Sequence, residues 1–443
     1  MNSKGRNTRR RGWGESLYPY VEDAVLYETL LGPRIFLAQY DKKLKINKNV
    51  EKILSLCDGV HEEKEVITCI AGTAGVSLEE AEESYRQTSK IFFDKGVLKY
   101  RKTPHLHPVR YRHILDPPFE MAYAELTYRC NLTCKHCYNS AGKRSELSTE
   151  EWMKIIDEIH RCGCLRLFLT GGEPLLHDGF FDIVEYARRK PLAVGVLTNG
   201  TLLDEYTAER LKKAGVSILH FSVDGPTAHI HDEFRGVDGS FEKTLNAVRR
   251  GLDKGLRIKV TLCIHRKNLG EGKNLVTLME TMGVTEYNFA PVIKSFREEE
   301  NSITPEEYKE FHDTLPKKER ITVYAPQYVK NCGIGYKECV IHPDGTVGLC
   351  PPFGAEGPVV GDLKKDTFDT IWDSPILQRL RSIDAFNHEK CGKCPHVRYC
   401  LGGCMANTYY VTGVITCGSP YECSYYDAIS ESHIDVIELK ETL

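Results

Sequence analysis

Three cysteines in Arg129-Cys130-Asn131-Leu132-Thr133-Cys134-Lys135-His136-Cys137-Tyr138 stand four and three residues apart. One loop of that spacing can wrap three corners of an iron–sulfur cube, and three thiolates on a four-iron cluster leave one iron for an outside chelate. A zinc knuckle with His136 as fourth ligand is the competing chemistry, but zinc motifs usually pair their ligands as two separate knuckles. Downstream, Thr170-Gly171-Gly172-Glu173-Pro174 combines glycines that permit close approach with a carboxylate suited to an ammonium group. By itself this is an ordinary turn. Thr198-Asn199-Gly200 and Ser222-Val223-Asp224-Gly225 each close a predicted strand, and Arg235 in Phe234-Arg235-Gly236 suits a carboxylate partner.

A second constellation fills the C-terminal part. Cys332 precedes Gly345 and Cys350, then come Cys391, Cys394, Cys400 and Cys404, and finally Cys417 and Cys423. Cys339 lies between the first two. Zinc ribbons compete here because x2 spacings suit zinc, but the x5 and x3 spacings and the upstream loop favour iron–sulfur clusters. The chain has 17 cysteines, and in a reducing compartment clustered thiols read first as metal or redox ligands. Cys57, Cys69, Cys162, Cys164 and Cys263 stand apart in apolar patterns and read as small core residues.

The elements that must position these groups follow from periodicity. Residues Tyr18 to Tyr100 read as a small α/β unit: a strand at Ile35–Tyr40, a turn at Asp58-Gly59, helices at Glu62–Ala71 and Leu78–Asp94, and a closing strand at Val97–Arg101. Ser77 and Glu80 form a capping signal for the second helix. Pro104 to Pro118, with His105 and His107, has no periodicity and reads as a linker. From Glu120, strands are predicted at Ala122–Thr127, Arg166–Leu169, Ala193–Leu197, Ser217–Val223, Arg257–Cys263 and Tyr287–Ala290, with helices between them. Six such units imply a curled parallel sheet whose chemistry gathers at the carboxyl ends of the strands. After a helix at Thr304–Leu315 the chain loses periodicity, as a region organised around metal would.

Composition removes other classes. The chain has 443 residues, so two or three domains are expected. Against 62 Asp+Glu stand 59 Lys+Arg, a net charge of −3 that gives no reason for a nucleic-acid or membrane partner. No apolar run approaches the roughly 18 residues of a membrane span. The basic start, Lys4 to Arg11, leads into an aromatic and acidic stretch rather than an apolar one, so a cytoplasmic location is expected.

The Cys130–Tyr138 run resembles the CxxxCxxC loop of the radical S-adenosylmethionine (radical SAM) superfamily, which places an aromatic residue where Tyr138 stands. The resemblance spans roughly Glu120 to Ala290 and implies a partial (β/α)6 TIM barrel. It also implies that Cys130, Cys134 and Cys137 hold a [4Fe–4S] cluster whose open iron takes the methionine end of SAM, cleaved to a 5′-deoxyadenosyl radical. Gly171, Gly172, Glu173 and Pro174 match the GGEP element that holds the SAM ammonium. Asn199, Ser222 and Asp224 resemble positions that contact the SAM ribose and carboxylate, and Arg235, counted with them as a cofactor-binding residue, resembles a recurring Arg of related maturases suited to pair with a carboxylate.

The later cysteines resemble the seven-cysteine pattern of SPASM domains. That resemblance implies two auxiliary [4Fe–4S] clusters: Cys332, Cys350 and Cys404 on the first, and Cys391, Cys394, Cys400 and Cys423 on the second. Cys339 would complete the first or leave its iron open, and Cys417 competes with Cys423. The N-terminal unit resembles the PqqD-like, winged-helix-like domain that recognises precursor peptides. The expected plan is residues 1–103 for peptide recognition, 104–119 as linker, 120–303 as barrel, and 304–443 as bridging region and SPASM domain. Together these resemblances imply a peptide maturase similar to sactisynthases, acting on a precursor peptide with a leader and reduced by a flavodoxin- or ferredoxin-type donor. Thioether formation is the leading expectation; carbon–carbon crosslinking and sulfatase-maturase-like oxidation are the alternatives. No catalytic residue is assigned beyond the cluster.

Overall fold

The computed structural model describes residues 16–29, 32–107, 111–112, 119–139, 145–293, 300–315, 321–324, 330–428 and 434–437. The basic start and most of the proline-rich stretch lie outside them. Two units are compact, residues 1–37 with 42–112 in one and 38–41 with 113–440 in the other.

In the first unit, strands β1 (Tyr18–Val21), β2 (Ala24–Thr29), β3 (Gly32–Leu37), β4 (Lys42–Lys45), β5 (Leu98–Arg101) and β6 (Tyr111–Arg112) form two sheets, β1-β5 and β4-β3-β2-β6. Helices α1 (Lys48–Leu56), α2 (Glu63–Ala74) and α3 (Leu78–Asp94) pack Ile53, Leu54, Val66, Tyr85 and Phe92 against Leu26, Ile35 and Leu37. Ser77 and Glu80 form the expected capping box. The strand expected at Ile35–Tyr40 stops at Leu37, because Ala38–Tyr40 is a 3₁₀ turn and Asp41 takes a positive φ of 50°. His105 and His107 are not loose linker residues. Their backbone N–H groups donate to the carbonyls of Gly59 (2.8 Å) and Asp58 (2.6 Å).

The second unit is built on six parallel strands: β7 (Met121–Thr127), β8 (Arg166–Gly171), β9 (Ala193–Thr198), β10 (Ile218–Val223), β11 (Ile258–Ile264) and β12 (Glu286–Pro291). Helices α4 (Thr149–Arg161), α5 (Phe180–Arg188), α6 (Glu205–Lys213), α7 (Ala228–Arg235), α8 (Ser240–Asp253) and α9 (Gly272–Met282) alternate with them, and α10 (Pro305–Thr314) follows. This is the partial α/β barrel expected from the repeats; α7 is an element that the periodicity did not announce. Its sequence, Ala-His-Ile-His-Asp-Glu-Phe-Arg, carries too few apolar residues for a clear stripe.

The C-terminal region departs from expectation in its packing. Past β13 (Ile321–Tyr324), strands β14 (Glu338–Ile341), β15 (Thr346–Gly348) and β16 (Val359–Asp362) join the β7 edge, giving one nine-stranded sheet ordered β12-β11-β10-β9-β8-β7-β14-β15-β16. β14 runs parallel to β7, and β15 and β16 are antiparallel. Val347, Leu349, Phe353, Phe368 and Trp372 share a single buried cluster with the barrel. Apolar burial therefore contributes to holding this region in place.

Candidate active site at the barrel mouth

The loop after β7 carries the three cysteines and is fixed from both sides by backbone contacts. Thr133 and Lys135 N–H groups donate to the carbonyls of Arg235 (3.1 Å) and Phe234 (3.0 Å) at the end of α7. His136 stacks on Phe234 at 4.6 Å, and Phe234 stacks on His265 at 3.8 Å. Burial pushes the His136 imidazole down to about 4, so it is neutral and serves as a packing plate. Gly236 closes α7 with φ 74°, and a Cβ there would meet Thr133 Oγ1 at 2.2 Å.

Gly171 and Gly172 answer the loop from β8. A Cβ on Gly171 would stand 2.2 Å from the Thr127 carbonyl oxygen, and one on Gly172 would stand 2.4 Å from that of Arg129. These glycines thus let β8 close on the base of the cysteine loop, in addition to any approach to a ligand. Gly172 N–H donates to Thr127 O (2.7 Å) and Glu173 N–H to Arg129 O (2.9 Å). Gly172→Ala should therefore force the loop base apart, costing about 1–3 kcal/mol of local strain. We expect at least tenfold weaker SAM binding, measured by equilibrium dialysis, with the second unit still folded by circular dichroism.

Glu173 is held by hydrogen bonds within the fold. Its carboxylate has no exposed surface and accepts bonds from Thr198 Oγ1 (2.8 Å), Asn199 N–H (2.9 Å) and Leu175 N–H (3.2 Å). Burial raises it to about 7 against the lowering effect of those donors. It clasps the end of β9 and, with Pro174, stands back from the cavity lining. Asp224 also stands back: it is fully buried and pairs with Arg235 at 2.5 Å. Burial alone would raise the Asp224 carboxyl, but Arg235, with His136 and His231, holds it below the carboxylate range.

Tyr138, Gly171, Gly172, Asn199, Ser222 and Arg235 line one cavity of about 1500 Å³ together with Cys130, Cys134 and Cys137. Nitrogen donors already point at two of the sulfurs. Leu132 N–H (3.4 Å) and Asn199 Nδ2 (3.8 Å) donate to Cys130, and Arg235 Nη1 (3.5 Å) donates to Cys134. Burial raises both thiols, so such donors favour the thiolates that a cluster needs. This donor set fits a three-thiolate iron–sulfur cluster.

The auxiliary cysteines fall into two neighbourhoods. Cys350 feels Cys404 and Cys332, while Cys391 feels Cys423 and Cys394, and Cys400 feels Cys423 and Cys391. Cys423 thus sits with the second group. Cys417 is buried against Gly402, within reach of both Cys391 and Cys332. Cys339 belongs to neither neighbourhood. It is 2% exposed in the apolar core beside Cys164, apart from Cys332, Cys350 and Cys404. Among the described residues, which include all 17 cysteines, no disulfide forms.

Two acidic groups at the site escaped the sequence reading. Glu125, buried inside β7, accepts from Asn139 Nδ2 (3.0 Å) and Tyr128 OH (2.9 Å) and meets His342 Nδ1 (2.8 Å), tying the cysteine loop to the β14–β15 turn. A carboxylate in an apolar strand was its available signal. Glu338 lines the cavity and is raised to about 7 by burial.

A partial parallel barrel with three cysteines after its first strand, a double glycine after its second and a cysteine-rich extension defines an iron–sulfur radical enzyme. Residues 124–279 match the radical SAM superfamily, and residues 332–395 match the iron–sulfur cluster-binding domain SPASM. The chain is 27% identical to the antilisterial bacteriocin subtilosin biosynthesis protein AlbA of Bacillus subtilis, over 96% of this chain and 99% of that protein. It is 30% identical to the mycofactocin maturase MftC of Mycobacterium ulcerans, over 71% of this chain and 90% of that one. Among solved structures, Streptococcus suis SuiB bound to precursor peptide SuiA shares the fold at 14% identity, with a TM-score of 0.59 over 88% of this chain and 96% of that one. The chain belongs to the radical SAM superfamily and carries a SPASM domain. It is an enzyme whose cofactors are S-adenosylmethionine, a [4Fe–4S] cluster and auxiliary iron–sulfur clusters. Among the described residues no helix is long and apolar enough to cross a membrane.

Proposed function

We propose that this enzyme modifies a ribosomally made precursor peptide, forming a thioether between a cysteine sulfur and a carbon of another residue. The observation that carries the reading is the match to AlbA over 96% of the chain, which includes the N-terminal unit as well as the barrel and SPASM domain. When bound, the reduced cluster and SAM supply a carbon radical strong enough to remove hydrogen from an unactivated carbon. The protein's own residues do the positioning. Cys130, Cys134 and Cys137 would hold the cluster, with Asn199 and Arg235 donating to its sulfurs. Gly171, Gly172, Asn199 and Ser222 would border SAM.

The cavity, walled by Tyr123, Phe289, Tyr308, Tyr410 and Phe353, has the volume for a peptide segment and the apolar surface to displace water around it. Cys332, Cys350 and Cys404 would serve the first auxiliary cluster, and Cys391, Cys394, Cys400 and Cys423 the second. The N-terminal unit would hold the leader, and a flavodoxin- or ferredoxin-type protein would supply electrons.

The test is to reconstitute the enzyme anaerobically and incubate it with SAM, dithionite and short cysteine-bearing candidate precursor peptides, with a folded sulfatase as the alternative substrate. A product lacking two hydrogens, with one thiol fewer for alkylation and 5′-deoxyadenosine formed in step, is expected. The same mass change with every thiol still alkylated would replace the thioether by a carbon–carbon crosslink. Oxidation of a residue in a folded sulfatase instead would overturn the peptide reading.

A further inference from the structure

The first auxiliary neighbourhood supplies Cys332, Cys350 and Cys404, three thiolates for a four-iron cluster. Cys339 cannot supply the fourth. β14 pairs with β7 so that Cys339 stands opposite Ala122 and Glu338 opposite Met121. Successive side chains on a strand point to opposite faces. Cys339 therefore shares the face of Ala122 and Leu167, both fully buried in the apolar core. Glu338 takes the other face, where Tyr123 also lies, and lines the cavity that Cys404 also lines.

There it is the leading charged neighbour of two ligand sulfurs. Cys350 feels the Glu338 carboxylate ahead of Cys404 and Cys332, and Cys332 feels it ahead of Glu422. Among the described residues no hydrogen-bond donor engages this carboxylate, and the Lys337 charge reaches it only as a field. Glu422, the other acid in the neighbourhood, is already held by Asn407 Nδ2 (3.1 Å) and by Ser419 Oγ. Glu338 is partly buried, and a cation beside such a carboxylate offsets the cost of its partial desolvation.

We propose that Glu338 is the fourth ligand of the first auxiliary cluster, its carboxylate oxygen taking the iron corner that Cys339 faces away from. The assignment rests on the SPASM cluster reading given above. An oxygen donor at one corner makes that iron more exchangeable than its three thiolate-held neighbours.

The full-length chain with Cys130, Cys134 and Cys137 replaced by alanine leaves only auxiliary iron to observe, about eight atoms per chain for two four-iron clusters. Iron near zero there would overturn the cluster reading and the Glu338 assignment together. With iron present, Glu338→Gln should convert one of the two clusters to the three-iron form on mild oxidation, seen as a new paramagnetic resonance signal and loss of about one iron. Glu338→Cys should abolish that conversion and move the midpoint potential of one cluster to a more negative value. Cys339→Ser should leave the spectra and potentials of both clusters as they were. Unchanged spectra and potentials in Glu338→Gln and Glu338→Cys overturn the assignment alone, as does a three-iron signal produced by Cys339→Ser.

Discussion

Replacing Cys130, Cys134 and Cys137 together by alanine is expected to abolish reductive SAM cleavage while iron falls by about four atoms per chain. The loop should keep its course without the sulfurs, because its hold is backbone and ring packing: Thr133 and Lys135 on the end of α7, and His136 on Phe234. Neither group of auxiliary cysteines draws on this loop. The auxiliary absorption should survive, and the thermal midpoint should shift by only a few degrees, as expected when about 1 kcal/mol is lost from a large domain. Continued 5′-deoxyadenosine production by the triple variant, measured by chromatography after dithionite reduction, would remove this loop from the chemistry. Loss of all iron would instead overturn the reading of the C-terminal cysteines as auxiliary-cluster ligands.

How much of this was legible in the sequence depends on the kind of signal. The strands β7 to β12 announced themselves because parallel strands buried on both faces read as apolar runs between helical stripes. Their carboxyl ends, and therefore Cys130, Gly171, Asn199 and Ser222, followed from that order. Side-chain direction was harder to read. Glu173 and Asp224 sit in matching motifs, yet the fold spends their charges on Thr198, Asn199 and Arg235. Spacing alone also favoured Cys339, since it counts residues along the chain and cannot see which face of a strand a thiol takes. A strand over Glu338–Ile341, once recognised, places residues 338 and 339 on opposite faces. The cysteine-rich region hid its strands because β14, β15 and β16 are three or four residues long, too short for periodicity to emerge.

The other large effect concerns the N-terminal unit. Deleting residues through Arg112, the end of the first compact unit, should leave SAM cleavage without peptide within a fewfold of wild type. No cysteine of the three clusters and no residue lining the barrel cavity lies in the deleted stretch. Modification of a full-length precursor should nevertheless fall by about 10²–10⁴-fold at subsaturating peptide, the factor that tethering at high effective concentration supplies. β4 is an edge strand of its sheet and carries Lys42, Lys43 and Lys45, so an extended leader, preferably acidic, could add there by backbone hydrogen bonds.

One side effect must be separated from the loss of docking. Asp41 belongs to the barrel's own compact unit and pairs with Arg166 and, at 3.5 Å, with Arg257. Removing it leaves two partly exposed arginines without that acid, a cost of about 0–1 kcal/mol. Asp41→Asn in the full-length chain should therefore reproduce the small stability loss and keep precursor affinity, whereas the deletion should lose that affinity by fluorescence anisotropy with a labelled leader. If the truncated enzyme binds the precursor as tightly as the intact chain, the leader docks elsewhere. If SAM cleavage falls together with solubility, the unit is a structural cap on the barrel.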